Sequence, residues 1–103
     1  MNNKKDIQDI VVSCNNKVEH MITTKPSRLT YERAAFLVVQ AELKLKNLKL
    51  SAEDRQHFSM LREAMQELRK ALQAGAKGDR KKYDVHMQKS QDLANEYARR
   101  VDS

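Results

Sequence analysis

Apolar side chains recur at steps of three and four residues in separate segments along this chain. That spacing places them on one face of an α-helix. The first segment carries Ile7, Ile10, Val11, Cys14, Val18, Met21 and Ile22, the third carries Phe58, Leu61, Ala64, Met65, Leu68, Ala71 and Leu72, and the fourth carries Tyr83, Met87, Ser90, Ala94, Tyr97 and Val101. The pattern predicts amphipathic helices, and no segment offers a clear strand for another to pair with.

Residues that end or begin helices are few, since the chain contains only two glycines and one proline. Pro26 is expected to end the first helix, because the residue before a proline is disfavoured in helical conformation. Ser27 or Thr30 is a good N-cap for the second helix, and Ser51 for the third. Gly75 is expected to end the third helix. We therefore predict helices over about 4–24, 30–49, 52–74 and 79–101.

Short connections between consecutive helices favour antiparallel neighbours. The sequence therefore predicts an all-α fold, an antiparallel up-down bundle of about four helices, formed as a single helical domain over residues 1–103. A chain of 103 residues can bury only one modest core. The alternative architecture is an extended helical hairpin that completes its core as a dimer.

The stretch FLVVQAELKLKNLKL, residues 36–50, has apolar residues on two sides of the predicted second helix. One stripe contains Tyr31, Ala34, Ala35, Val38, Ala41, Leu45 and Leu48. The second stripe, on nearly the opposite side, contains Phe36, Val39, Leu43 and Leu50. Either the helix is buried between two neighbours in its own bundle, or the second stripe faces another chain. We interpret the second stripe as a partner-binding surface, because each helix of a small bundle normally keeps a solvent face.

The chain carries a formal net charge of +6, from 20 basic and 14 acidic residues. In an up-down bundle the first and third connections lie at the same end, so the bases near them form one basic pole. The predicted basic pole contains Lys25, Arg28, Arg33, Lys70, Lys77, Arg80, Lys81 and Lys82, offset nearby by Glu32, Glu67, Asp79 and Asp84. Glu67 and Lys70 are expected to form a solvated surface pair. Such a pole would attract anions or an acidic partner.

No arrangement of residues in the sequence is typical of a catalytic, cofactor or metal site. The histidines are His20, His57 and His86, which lie on different predicted helices without a second ligand at metal-site spacing. Cys14 falls on the apolar face of helix 1, which favours the role of a small buried hydrophobe. The segment GAKGDRKK, residues 75–82, lacks the preceding strand and the G-K-[ST] of a phosphate-binding loop. We therefore predict no catalytic residue, no metal and no cofactor, and expect a protein that is not an enzyme.

Architecture and charge together favour a protein that works by binding. Our first hypothesis is a small helical adaptor, chaperone-like or regulatory protein that self-associates, most simply as a dimer, and binds a protein partner through the second stripe and the basic pole. An acidic partner would suit that pole. The alternative is a basic regulatory protein that binds nucleic acid, since lysine and arginine supply phosphate contacts. No apolar run approaches the roughly 20 residues that span a bilayer, so we expect no membrane association. A single cysteine suits a reducing compartment, so we expect a cytoplasmic location, or the host cytoplasm if the protein is viral.

Overall fold

In the computed structural model, which describes residues 4–102, the chain forms an antiparallel bundle of four α-helices. They are α1 (Lys4–Thr24), α2 (Arg28–Lys46), α3 (Ala52–Ala76) and α4 (Arg80–Asp102). The described residues contain no strand. The predicted all-α bundle is therefore confirmed, and the chain does not form the extended hairpin that was the alternative.

The start of α2 is set by Ser27, whose side-chain oxygen accepts a hydrogen bond from the backbone N–H of Thr30 at 3.3 Å. Because Ser27 and not Thr30 is the N-cap, the helix begins at Arg28, two residues before its predicted start. It ends at Lys46, so the leucines of the stretch 47–50 belong to the connection that follows.

Side chains also cap the starts of α3 and α4. The backbone N–H of Asp54 donates to Ser51 Oγ at 3.1 Å, and the Ser51 hydroxyl donates to the Asp54 carboxylate at 2.9 Å. At α4, the carboxylate of Asp79 accepts a hydrogen bond from the backbone N–H of Lys82 at 3.1 Å. These caps satisfy amide groups that have no partner within their own helix. They explain why short polar connections are sufficient to separate long helices.

Polar contacts between neighbouring helices show that each runs antiparallel to the next. They join Cys14 Sγ to the Leu37 carbonyl oxygen at 3.9 Å (α1–α2), Arg69 Nε to Glu42 at 3.0 Å (α2–α3) and Ser90 Oγ to the Ala64 carbonyl oxygen at 2.8 Å (α3–α4). Tyr31, near the start of α2, packs against Gly75, near the end of α3. The first and third connections therefore lie at the same end of the bundle.

The core is built mainly from α2 and α3, with a smaller share from α1. Its buried residues are Ile7, Cys14, Val18, Ala34, Ala35, Val38, Ala41, Leu45, Leu61, Met65, Leu68 and Leu72. Within its described part, α4 has no fully buried hydrophobic side chain, and it packs through the half-buried Met87 and Tyr97. The buried Ser90, which is small, lets α4 approach α3 closely enough for its hydroxyl to reach a backbone carbonyl.

Gly75 lies inside α3, which corrects the prediction that it ends the helix. The ring of Tyr31 packs against it, and a Cβ placed on Gly75 would lie 2.8 Å from Tyr31 Cδ1. The C-cap is Lys77, followed by Gly78 with a φ of 75°. That left-handed conformation carries little cost only for glycine. The two glycines therefore serve different purposes, one in close packing and one in chain reversal.

Replacing Gly75 by alanine should destabilise the bundle, although alanine has the higher helix propensity. Overlap of the new Cβ with the Tyr31 ring should cost about 1–3 kcal/mol, and the helix gain of about 1 kcal/mol offsets only part of it. Urea unfolding should therefore show a lower midpoint. In a Tyr31→Leu background the same substitution should be neutral or stabilising. If Gly75→Ala destabilised the bundle equally in both backgrounds, overlap with the Tyr31 ring would not be the cause.

Candidate functional site

Three large apolar side chains on the outer face of α2 are exposed to solvent. Leu29 is 54% exposed, Phe36 is 61% exposed and Leu43 is 54% exposed. They are spaced seven residues apart, so they lie almost in line along the helix, about 10 Å from one to the next. We call these three residues the α2 stripe. An exposed apolar row of this kind is typical of an interaction surface.

The α2 stripe differs from the surface predicted from the sequence. Phe36 and Leu43 are exposed, whereas Val39 is half-buried. Leu50 lies beyond the end of α2 and packs against the core, so it is not part of the same helical face. Leu29 is missing from the predicted set. Its seven-residue spacing from Phe36 and Leu43 is the signal that could have identified it.

Basic residues border the α2 stripe. Arg33 and Lys46 each lie about one helical turn from a stripe residue, and both are exposed. Glu32 lies on the same side of the helix, but Arg28 Nε donates a hydrogen bond to its carboxylate at 3.1 Å. The border therefore has a net positive charge. An apolar row with positive edges is complementary to an apolar row with negative edges.

The predicted basic pole lies where α1 and α3 end and α2 and α4 begin. The rings of Tyr31 and Tyr83, near the starts of α2 and α4, are in contact there, with centroids 5.8 Å apart. Arg28 and Lys77 line one depression between α2 and α3. Because Leu29 follows Arg28 directly, the α2 stripe begins at the pole and runs away from it along the helix.

Some of the pole's bases are paired locally and others are not. Arg28 pairs with Glu32 at 3.1 Å and Arg80 pairs with Asp84 at 3.2 Å, both within exposed helix turns. Of the eight bases of the pole, all of which lie within residues 4–102, five form no ion pair: Lys25, Arg33, Lys77, Lys81 and Lys82. These five side chains are exposed and supply the pole's positive charge at the surface.

The predicted pairing of Glu67 with Lys70 is present, but the prediction that this pair is solvated at the surface is wrong for Glu67. Glu67 is buried, and its Oε2 lies 2.6 Å from His86 Nδ1 on α4, while Lys70 Nζ is 3.9 Å from its other oxygen. The carboxylate therefore joins α3 to α4. Helical spacing within α3 could not reveal the contact between Glu67 and His86, because the closer partner of Glu67 comes from a different helix. Lys70 accordingly lies beside an interhelical contact as well as near the pole.

The two tyrosines at the pole are not an open stacking surface for nucleic-acid bases. Tyr31 packs edge-to-face on Tyr83 and also contacts Gly75. Arg80 lies over the ring of Tyr83, 5.5 Å from its centroid. Burial raises the pKa of Tyr83, and the neighbouring Tyr31 adds to that effect. Single-strand binders use exposed aromatic faces for stacking, and both rings are instead engaged in packing.

In the described part of the chain, neither Cys14 nor the histidines lie in a setting typical of a reactive cysteine or a metal site. Cys14 is buried, and burial raises the pKa of its thiol while Lys17 nearby partly opposes that shift. A reactive cysteine needs the opposite setting, exposed and with a lowered pKa. The histidines lie on separate helices, His20 on α1, His57 on α3 and His86 on α4. Across residues 4–102, no three potential metal-binding side chains lie together.

A second exposed apolar surface lies between α1 and α4. Within residues 4–102 these two helices do not pack closely together, although every sequential pair does. Two depressions that share Ala94 follow this seam along the bundle. The floor contains Leu61 and Leu68 of α3, and the walls contain Val11 and Val12 of α1 and Ala94 and Tyr97 of α4. We call this surface the α1–α4 groove.

The fold and these surfaces define the chain as a small all-α protein with two apolar surfaces and one basic pole. Comparison with models of protein families, with curated proteins and with solved structures finds no match. A helical bundle alone does not define a function, so function has to be argued from the surfaces. Over residues 4–102, none of the helices combines the length and the apolar character needed to cross a bilayer.

Cys14 should react slowly with thiol reagents in the folded protein. The thiolate is the reactive form, and burial both raises the thiol's pKa and blocks access to it. In mildly alkaline buffer, labelling should be slower by about tenfold or more than in guanidinium chloride. The matched control is Thr23→Cys in a Cys14→Ser background, because Thr23 is exposed on the same helix. Rapid labelling of native Cys14 would contradict its buried placement.

Proposed function

We propose that this chain is a small, non-enzymatic interaction protein, an adaptor or regulator, that self-associates and binds an acidic protein partner. The partner would dock an amphipathic helix on the α2 stripe and place acidic residues against the basic pole. The observation that carries the proposal is the exposure of Phe36 and Leu43, at 61% and 54%, within a positively charged border. A lone cysteine suits a reducing cytoplasm, of the cell or of a viral host.

The spacing of the α2 stripe favours a helical partner. Leu29, Phe36 and Leu43 recur every seven residues, the interval at which one helix presents successive apolar residues to another. The row extends about 21 Å, which corresponds to four turns of a partner helix. Phe36 at its centre is the largest exposed side chain of the row. A central aromatic residue of this kind is the usual anchor of such an interface.

The charges around the stripe favour an acidic partner. Arg33 and Lys46 border the stripe, and the unpaired bases of the pole continue from its first residue. A partner helix with glutamate or aspartate beside its apolar row would meet opposite charge near both ends of the stripe. The pole would also raise the rate of encounter, and this contribution would weaken with salt.

Nucleic acid is the second candidate ligand for the same bases. The exposed lysines of the pole, such as Lys81 and Lys82, could contact phosphates. This alternative does not account for the exposed α2 stripe, and the tyrosines near the pole are occupied in packing. Binding of generic single-stranded or duplex DNA and RNA in a salt series would support it, particularly if α2 substitutions had no effect.

Designed peptides can test the proposal before any partner is known. One peptide of about 20 residues would carry leucine at heptad positions a and d and glutamate at e and g, and its counterpart would carry lysine at e and g. We expect the acidic peptide to bind more tightly, measured by fluorescence anisotropy. Phe36→Glu or Leu43→Glu should weaken that binding by about tenfold or more. Amide NMR shifts on peptide addition should concentrate in residues 28–46.

The matched control is Val85→Glu, which makes the same change of charge at a residue of α4 that is 51% exposed. It should leave binding within about twofold of the unsubstituted protein, since isolated exposed hydrophobic residues are common and do not usually mark a site. If the lysine peptide bound as tightly as the glutamate peptide, the acidic partner would be ruled out. If Val85→Glu weakened binding as much as Phe36→Glu, the α2 stripe would not be the site.

A further inference from the structure

We infer that the α1–α4 groove is the surface through which the chain pairs with a second copy of itself. In this pairing the two α1 helices run antiparallel, with Val12 beside the two-fold axis. The inference rests on the self-association within the proposed function and names its surface. It does not depend on the α2 stripe or on the acidic partner. Its basis is the open seam, the charge of the groove and the spacing of residues along α1.

The seam between α1 and α4 leaves apolar side chains incompletely covered. Val12 is 47% exposed at the edge of the groove, and Val11 and Tyr97 within it are only half-buried. The floor residues Leu61 and Leu68 are buried, so the groove opens directly onto the core. A helix laid along it would complete the core on that side. Covering such a surface is favourable, because it removes apolar area from water.

The lining of the groove is poor in charge compared with the other seams. Among the described residues that line it, only Lys4 and Glu19 are charged, one of each sign. Charged residues make up half of those lining the two α2–α3 depressions and a third of those lining the α1–α2 depression. Its polar edge consists largely of amides, including Gln8, Asn15 and Gln91. Depletion of charge is the compositional mark of an interface centre.

This neutrality matters because the chain carries a formal net charge of +6. Two copies repel each other unless their contact surfaces avoid the positive charge. The α2 stripe does not avoid the positive charge. If two α2 stripes pair antiparallel with Phe36 level with Leu43 of the second copy, Arg33 lies level with Lys46 of the second copy. Like charges opposed across an interface disfavour the pairing. The groove, with one charge of each sign, carries no such penalty.

The groove-facing residues of α1 match one another in pairs about Val12. The exposed residues among them are Lys4, Gln8, Val12, Asn15 and Glu19. When two α1 helices run antiparallel about an axis close to Val12, Gln8 of each copy lies level with Asn15 of the other. Lys4 then lies level with Glu19. Amide side chains can exchange hydrogen bonds, and the end charges are opposite in sign.

Such a pairing is closed and symmetric, because the same surface is used by both copies. Each α1 would lie over the partner's groove, between the partner's α1 and α4. The residues of the α2 stripe do not line the groove. Both copies would therefore keep the α2 stripe and the basic pole available, and the dimer would present two acidic-partner sites.

Single-cysteine variants test the predicted axis directly. In a Cys14→Ser background, Val12→Cys should form a disulfide-linked dimer on mild oxidation, because residues beside a two-fold axis approach their own copies within disulfide range, about 4.4–6.8 Å between Cα atoms. The matched variant is Phe36→Cys in the same background, which is more exposed than Val12 but lies on the α2 stripe. It should remain largely unlinked. Sedimentation of the unsubstituted chain should give twice its 12.0 kDa mass.

Charge variants at positions 8 and 15 test the antiparallel register. Gln8→Lys with Asn15→Glu leaves the net charge unchanged and creates two symmetric ion pairs, so dimerisation should strengthen. Gln8→Glu with Asn15→Glu lowers the positive charge, which alone would favour association, but it opposes like charges across the axis. We expect it to weaken dimerisation by about tenfold or more. Circular dichroism should show that both variants keep the helical content.

Three outcomes would overturn the inference. A chain that stays monomeric at every concentration would remove self-association, and peptide binding by the α2 stripe would still stand. Efficient cross-linking at position 36 and not at position 12 would assign pairing to the α2 stripe. If groove variants left the mass measured by sedimentation unchanged but weakened binding of the acidic peptide, the groove would receive a partner helix and not a second copy.

Discussion

The packing of α3 is the constraint on which the rest of this bundle depends. It is the longest helix, with 25 residues, and it packs against both α2 and α4. Its buried leucines, Leu61, Leu68 and Leu72, lie in the same cluster as the buried residues of α1 and α2. Since α1 packs mainly on α2, and α4 mainly on α3, the fourth seam is left open along the bundle. The open groove is therefore a consequence of how the chain builds its core, and not a local irregularity.

The two apolar surfaces differ in the charge around them, and this difference is the basis for proposing different occupants. The α2 stripe and the α1–α4 groove are both incompletely covered, and hydrophobic area alone would not distinguish their occupants. Arg33 and Lys46 beside the stripe make a second copy of a +6 chain an unfavourable occupant and an acidic helix a favourable one. The amides and the single opposite charges of the groove reverse that preference. Under the two proposals, one bundle would self-associate and bind its partner without competition between them.

Local pattern was sufficient to predict the helices, since apolar periodicity and the serine caps depend on residues close together in sequence. Local pattern was also sufficient to predict that Phe36 and Leu43 are exposed, because a helix with two apolar faces cannot bury both in a small bundle. It failed where a second helix decides the environment. The sequence predicts a helix end at Gly75, whereas in the structure Gly75 lies inside α3 and leaves room for the Tyr31 ring. The sequence predicts a surface position for Glu67, whereas in the structure Glu67 is buried and contacts His86 of α4. The open seam was also beyond sequence reasoning, because it depends on which helices do not meet.

If the chain pairs as proposed, the position of α1 would link the stability of the bundle to its association. Ile7 and Val18 are buried, so α1 belongs to the core, yet its groove-facing side is covered by no helix within residues 4–102. α1 therefore gains only part of the burial that a closed four-helix ring would give it. Pairing with a second copy would cover Val11 and Val12 and add that burial to the folded state alone. Because anything that binds only the folded state stabilises it by mass action, the bundle's stability would rise with its own concentration. Under the proposed pairing, the groove would both complete the modest core of this small chain and join its two copies, and α2 would remain available for the partner.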